Sequence, residues 1–307
     1  MKQVVIFLIL FSNPSFYSQK ISSNGDVIAF WRAYDEVLKT NDPIQQNKII
    51  EDQYLQKASP ALKELIKMDS IKASDYVRSI SKKPERWNKV RKLTLEISEY
   101  NTDFIKLYQS FRKIYPTFHS PKINFVIGIF NRGGTTTKDF ILIGTEVAAL
   151  TDLSGAELKL STEYNIIHEL VHVQQDYING VNNEEEYKNL DLLGWALMEG
   201  SCDFIAEKLL GKLPAIAYMD YGKEHEKELW NKFKVDMYLY DIEKWMYNGS
   251  SAKDKPADLA YYMGYAICRS YYEHAADKKA ALCEIIDLKY SENKHHAFFE
   301  KAHYMEK

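Results

Sequence analysis

From Gly25 to about Tyr115, apolar side chains return every third or fourth residue, as in Phe30, Tyr34, Val37 and Leu38, then Ile97, Phe104, Leu107 and Phe111. That period places them on one stripe of a helix, so the segment reads as four or five amphipathic helices sharing an aromatic core. Asp42-Pro43 and Ser59-Pro60 mark two helix starts, each setting a capping oxygen ahead of a proline whose missing N–H costs nothing in a first turn. At Lys122 the period changes to two: Ile123, Phe125, Ile127 and Ile129 alternate with Asn124, Val126, Gly128 and Phe130, and Asp139–Ile143 is a second short apolar run. The joining stretch Asn131–Lys138, with Gly133-Gly134 before three threonines, is too long for a two-residue hairpin and is expected to be a flexible loop. Its glycines serve turn chemistry or let a substrate backbone approach closely. Helical periodicity then resumes to the end. The expected fold class is α+β, a helix-rich body with a small sheet. No linker rich in Gly, Ser or Pro separates a helical part at 20–118 from the part at 119–307, so the two are expected to pack as one unit.

Composition narrows the classes. The 307 residues are 46% hydrophobic and carry 40 Lys+Arg against 43 Asp+Glu, a net charge of −3, which excludes a mainly disordered chain and leaves no basic excess for a dedicated nucleic-acid binder. Met1, Lys2, the apolar run Val4–Phe11 and the polar stretch through Ser18 resemble a secretory signal peptide over residues 1–19, too short to span a bilayer. An exported protein, periplasmic or secreted, with no stable membrane insertion after cleavage, is the expectation. No cysteine stands near the cleavage point to take a lipid. Of the three cysteines, Cys202 reads as a small buried hydrophobe, while Cys268 and Cys283 could pair across neighbouring helices.

The informative segment is Ile166-Ile167-His168-Glu169-Leu170-Val171-His172-Val173, an HExxH motif in a helix expected to start near Ser161 or Thr162. Histidines four apart share a helical face and can ligate one zinc ion, while Glu169 lies one residue round and can reach a metal-bound water. A third ligand must come from elsewhere. Separated from His172 by twenty-six residues, Glu199 opens Glu199-Gly200-Ser201-Cys202-Asp203 in a helix ending near Gly211. Glu199 and Asp203 are four apart, so the first can ligate zinc while the second orients a ligand imidazole.

HExxH followed by ExxxD resembles the gluzincins, the metallopeptidase group that includes thermolysin. With Ile143-Gly144-Thr145-Glu146, Glu199-Gly200-Ser201 and Gly264-Tyr265, the pattern also looks like the bacterial predicted zinc-dependent proteases of unknown role, over roughly residues 120 to 275. The resemblance implies a zincin-like fold, with His168, His172 and Glu199 as zinc ligands, Glu169 as general base and Asp203 behind a ligand. It also implies an early strand at the edge of the sheet, against which a peptide could lie. For oxyanion stabilisation, Tyr261 and Tyr265 are the candidates, on one face of a helix following Pro256; His225 is poorer, and His274, His295, His296 and His303 sit in polar surroundings that suggest surface. The acidic run Glu184 to Glu186 reads as a solvated loop or a calcium site. The expected function is an exported zinc metallopeptidase acting on a peptide or protein substrate. The alternative is a non-catalytic or weakly catalytic zincin-fold envelope protein acting in binding or assembly.

Overall fold

A computed structural model describes residues 22–97, 99, 101–137, 139–150, 152–181, 187, 190–249, 251–291 and 294–305. The expected signal peptide and the run Glu184 to Glu186 lie outside the described residues. Six α-helices precede Lys122, more than the periodicity suggested: α1 (Gly25–Val37), α2 (Pro43–Ile50), α3 (Pro60–Met68), α4 (Ala73–Lys82), α5 (Pro84–Ile97) and α6 (Asn101–Ile114). Both proline-led starts form as expected, with the Asp42 carboxylate accepting from Ile44 N–H (2.9 Å) and Ser59 Oγ accepting from Leu62 N–H (3.1 Å). The aromatic stripe closes on itself, Phe30 meeting Trp31, Tyr54 and Trp87 at ring-centroid distances of 5.1, 5.4 and 4.8 Å. Tyr54 and Tyr76 both donate to the Ile127 carbonyl (2.6 and 2.9 Å), fastening this helical layer to the chain just past the second strand.

The sheet has four strands, β1 (Ser22–Ser23), β2 (Lys122–Val126), β3 (Gly134–Thr137) and β4 (Phe140–Gly144), in the order β1-β2-β4-β3. β1, β2 and β4 run parallel and β3 is antiparallel to β4, with Gly134 opposite Ile143 and Thr137 opposite Phe140. Three expectations are corrected here. The first strand ends at Val126 rather than near Phe130, and Ile123–Val126 are all buried, so the alternation in the sequence did not mark a solvent face. The expected loop 131–138 contains β3, whose threonines carry the β-branched side chains a pleated strand favours. The early strand β2 is interior, and the edges are the two-residue β1 and β3.

The remaining helices are α7 (Thr145–Ala148), α8 (Gly155–Asn179), α9 (Leu192–Leu210), α10 (Ala217–Asp236), α11 (Leu259–His274), α12 (Lys278–Ile286) and α13 (Lys294–Lys301). α8 begins a turn or more before Ser161, and it ends on Gly180 at φ 68°, where a left-handed residue costs glycine nothing. Between α10 and α11 the chain is not regular helix, a break that periodicity did not reveal. α9 and α11 cross with backbones touching. A Cβ on Gly200 would lie 2.1 Å from Tyr265 N, and one on Gly264 would lie 1.7 Å from Ala196 O, so neither position accepts a side chain without parting the helices.

Glu146 of α7 is fully buried, with Oε1 accepting from Gly128 N–H (2.9 Å) and Phe130 N–H (3.2 Å) and Oε2 lacking a hydrogen-bond partner among the described residues. Burial pushes its carboxyl up to about 7 despite those backbone bonds.

Two outcomes are expected. Gly264→Ala should cost about 3 kcal/mol and lower the melting temperature by roughly 6 to 12 °C, since backbone rather than a movable side chain blocks the methyl. A thermal scan within about 2 °C of the parent would show that the helices separate freely. For Glu146, the folded state keeps a proton that the unfolded chain releases near its ordinary value of 4.5. Its contribution is therefore fully present below about pH 4.5 and is lost as pH rises through about 7, a change on the order of 3 kcal/mol. Urea titrations at pH 5 and 8 should show this fall in the parent and a flatter profile in Glu146→Gln; identical profiles would refute it.

Candidate metal centre

One helical turn apart on α8, His168 and His172 turn their Nε2 atoms toward Glu199 of α9. His168 Nε2 lies 3.1 Å and His172 Nε2 3.2 Å from Glu199 Oε2, and the two nitrogens are 3.2 Å apart. Their other ring nitrogens set the proton positions. Asp203 Oδ1, 3.0 Å from His168 Nδ1, also accepts from Tyr164 (2.5 Å), while Oδ2 accepts from Tyr218 (2.9 Å). A carboxylate accepting these bonds makes His168 Nδ1 the N–H. Gln175 donates its amide hydrogens to Met198 O (3.0 Å) and Ser201 Oγ (2.8 Å), which turns its Oε1 to accept from His172 Nδ1 at 2.8 Å. Both Nε2 atoms of the neutral imidazoles are thus lone-pair acceptors, and so is the Glu199 carboxylate.

Three acceptors on one point call for positive charge. A tetrahedral ion with bonds near 2.0–2.1 Å holds its donor atoms about 3.3 Å apart, close to the triangle these three atoms make, and an N2O set suits zinc. The same demand appears in the titration of the residues alone. Burial opposes a proton on either histidine, yet Cys202, Glu199 and, for His168, Asp203 hold both imidazoles well above their ordinary range. Burial would raise Glu199, but His172 and His168 hold its carboxyl well below the usual carboxylate range.

The centre lies in a cleft of about 690 Å³ whose lining includes β3, Glu169, Tyr247 and Tyr261. Glu169 faces the edge strand so closely that a Cβ on Gly134 would sit 2.4 Å from its Oε1, so this glycine belongs to a strand rather than a turn and the room beside it is taken by the protein's own side chain. Tyr261 stacks its ring near that of His168, with centroids 6.3 Å apart. Tyr265 is not in the cleft; with its backbone against Gly200, its hydroxyl donates to Glu207 Oε2 at 2.9 Å. Four residues at the site escaped the sequence reading: Tyr164 and Tyr218 on Asp203, Gln175 on His172 and Tyr247 on Glu199. Gln175 had as its only signal a glutamine pair on an otherwise apolar helix stretch. Tyr247 comes from the irregular segment before α11, holds φ 54°, and donates to Glu199 Oε1 at 3.2 Å. Asn248-Gly249 after it, a turn dipeptide, was the one trace in the sequence.

Cys202 is buried as expected, 3.6 Å from both ring nitrogens of His172, and Cys268 and Cys283 are free thiols rather than a pair. His225 bonds Tyr221 O on its own helix, away from the centre. His295, expected at the surface, is 1% exposed. It and His296 contact Asp191, the cap of α9, at 3.0 and 2.5 Å. This second cluster differs from the first in one respect: His295 Nδ1 is buried with no hydrogen-bond partner among the described residues. A metal on Nε2 would force a proton onto Nδ1 with nothing to receive it, at about 1–3 kcal/mol. The cluster is therefore read as a hydrogen-bonded clasp between α9 and α13.

Compared with known families, residues 17–306 match the family model of the gliding motility protein GldB, while no curated protein and no solved structure matches. The match spans nearly the whole chain, including every residue of the centre, and no protease family matches, so the expected assignment to thermolysin-like metallopeptidases, and with it the expected hydrolase activity, is corrected. The physical reason is that HExxH with ExxxD specifies where donor atoms meet, and fold and ligand geometry do not by themselves specify a reaction. The family is described as one of lipoproteins, whereas the first cysteine in this sequence is Cys202, inside α9. No described helix is long and apolar enough to cross a membrane. The chain belongs to the family of the gliding motility protein GldB, an envelope-associated family.

Proposed function

We propose that this protein is a binding or assembly component of the gliding motility machinery on the periplasmic or outer side of the membrane, with a zincin-like arrangement of helices and edge strand. It holds one zinc ion with His168, His172 and Glu199 and receives a partner polypeptide in the adjoining cleft. The observation that carries this reading is the meeting of three lone-pair donors beside an open strand edge. Zinc there would cross-link α8 to α9 and supply the positive charge the donors lack. Asp203 and Gln175 keep both imidazoles in the tautomer that a cation requires.

The edge has a definite phase. Gly144 N–H donates to Gly133 O at 2.9 Å, and alternation along an antiparallel ladder then turns the N–H and C=O of Gly134 and Thr136 away from β4. Those groups run along the cleft, where an extended segment can add as a further strand. Membership in a motility family supports a partner-binding use of this groove.

The purified protein should carry about one zinc per chain rather than two, because only the first cluster orients its histidines for a cation. Competition with a chromogenic chelator should show zinc retention largely abolished in Glu199→Ala, weakened roughly 10 to 100-fold in Asp203→Ala and Gln175→Ala, and unchanged in Glu207→Ala, whose carboxylate engages Tyr265. Near-parental affinity in folded Glu199→Ala would reject the ligand set. In a gliding host lacking the gene, Glu199→Ala present at parental level in the envelope fraction should fail to restore movement. Full restoration by that zinc-free variant would separate the centre from motility.

A further inference from the structure

We propose that a second, smaller pocket, between α4 and the first turn of α5, binds a phosphate group carried by a soluble phosphomonoester or by a lipid headgroup. The pocket has a volume of about 230 Å³ and shares no residue with the metal cleft. Its lining offers the cations Arg78, Lys82, Lys83 and Arg86 against one carboxylate, Asp75. Asp75 is already engaged, pairing with Arg78 and accepting from Lys72 N–H at 2.9 Å. Lys82, Lys83 and Arg86 make no ion pair among the described residues.

Surface lysines alone make no site, and the end of α4 accounts for Lys82 and Lys83, because cations favour the negative end of a helix. Arg86 is different. It stands in the first turn of α5, where a cation opposes the positive helix end and an anion is favoured, and Glu85, the acid of that turn, lies outside the lining. The fold nevertheless fixes Arg86 there. Its guanidinium lies over the Phe130 ring, 3.9 Å from the centroid, and Trp87 packs on the same ring with centroids 4.4 Å apart. Phe130 itself holds a left-handed backbone (φ 65°), rare for a bulky residue, with its N–H given to the buried Glu146 Oε1 at 3.2 Å. The five N–H donors of Arg86 are thus held in a half-buried place with no acceptor among the described residues. Ser79 adds a neutral donor, since its Oγ accepts from Trp87 Nε1 at 3.2 Å and keeps its hydroxyl hydrogen to give. A phosphate matches this set: the planar fork of Arg86 meets two of its oxygens, the hydroxyl can meet a third, and the lysines supply charge. Ile129 and Phe130 form an apolar wall along which the carbon portion of a phosphoester can lie.

The test uses the full mature chain at physiological ionic strength, where the screening length is about 8 Å and scattered surface charges hold anions poorly. Glycerol phosphate is titrated by calorimetry, and phosphatidylcholine vesicles with and without phosphatidylglycerol are sedimented with the protein. Binding should saturate at one site and weaken at least about tenfold in folded Arg86→Gln and in the double variant Lys82→Gln, Lys83→Gln, whose side chains are exposed. Lys89→Gln removes an equal charge from α5 at a residue that pairs with Asp152 outside the pocket, and it should bind like the parent. Retention on phosphatidylglycerol vesicles that the pocket variants lose would assign the lipid source. Binding of glycerol phosphate without such retention would assign the soluble one, and either result supports the pocket. A metal chelator should change nothing; binding lost with the chelator but kept in Arg86→Gln would place phosphate at the metal centre and overturn the pocket. Equal losses in Lys89→Gln and the pocket variants would overturn it as general surface charge, and so would a parent that binds neither probe.

Discussion

Lone pairs repel unless something positive stands between them, and the interior of this protein aims three at one point across two helices. Water cannot relieve the arrangement, since the Glu199 side chain is only 6% exposed and those of His168 and His172 are 12% and 16% exposed. The positive charge comes from protons or from a metal. The proposed zinc would be the second answer, and the surrounding bonds leave both Nε2 lone pairs turned toward it. Tyr164 and Tyr218 saturate Asp203, and Met198 and Ser201 saturate the amide hydrogens of Gln175. Each set leaves one acceptor for one imidazole N–H, so the tautomers follow from bonds made several residues away.

That constraint reaches into the backbone. Glu199 and Asp203 must keep their height on α9 relative to α8, and α9 is seated by the contact of Gly200 with Gly264 on α11. Adjacent to Glu199, the glycine that permits the crossing leaves no slack for α9 to slide. On the opposite wall, Gly134 lets β3 approach Glu169, and Tyr247 closes over Glu199 from a backbone conformation rarely held by a bulky residue. Helix packing and an irregular segment thus meet at Glu199, and strand placement at Glu169 across the cleft.

Much of this was legible in the sequence because it depends on short-range periodicity. Histidines four apart share a helical face in any sequence, as do Glu199 and Asp203, and proline after a capping residue starts a helix wherever it occurs. What escaped depends on contacts between distant segments. β3 was read as a loop because glycines and threonines suit turns as well as strands, and only pairing with β4 decides between them. Tyr265 was placed at the site because it shares a face with Tyr261, yet the crossing with α9 carries its hydroxyl to Glu207. His295 looked exposed beside charged neighbours, and Asp191, about a hundred residues earlier, buries it.

The largest misreading was of use rather than of geometry, and it has a physical source. Donor atoms set the affinity and position of a cation, whereas turnover depends on stabilising charge that develops only during a reaction. The first requirement is local to two helices and survives in a motif. The second involves groups from the whole cleft, whose lining here draws on β3, α8, α9 and the irregular segment before α11. A groove that binds tightly through interactions already present before any bond changes gains affinity without gaining rate, which is the property an assembly component needs.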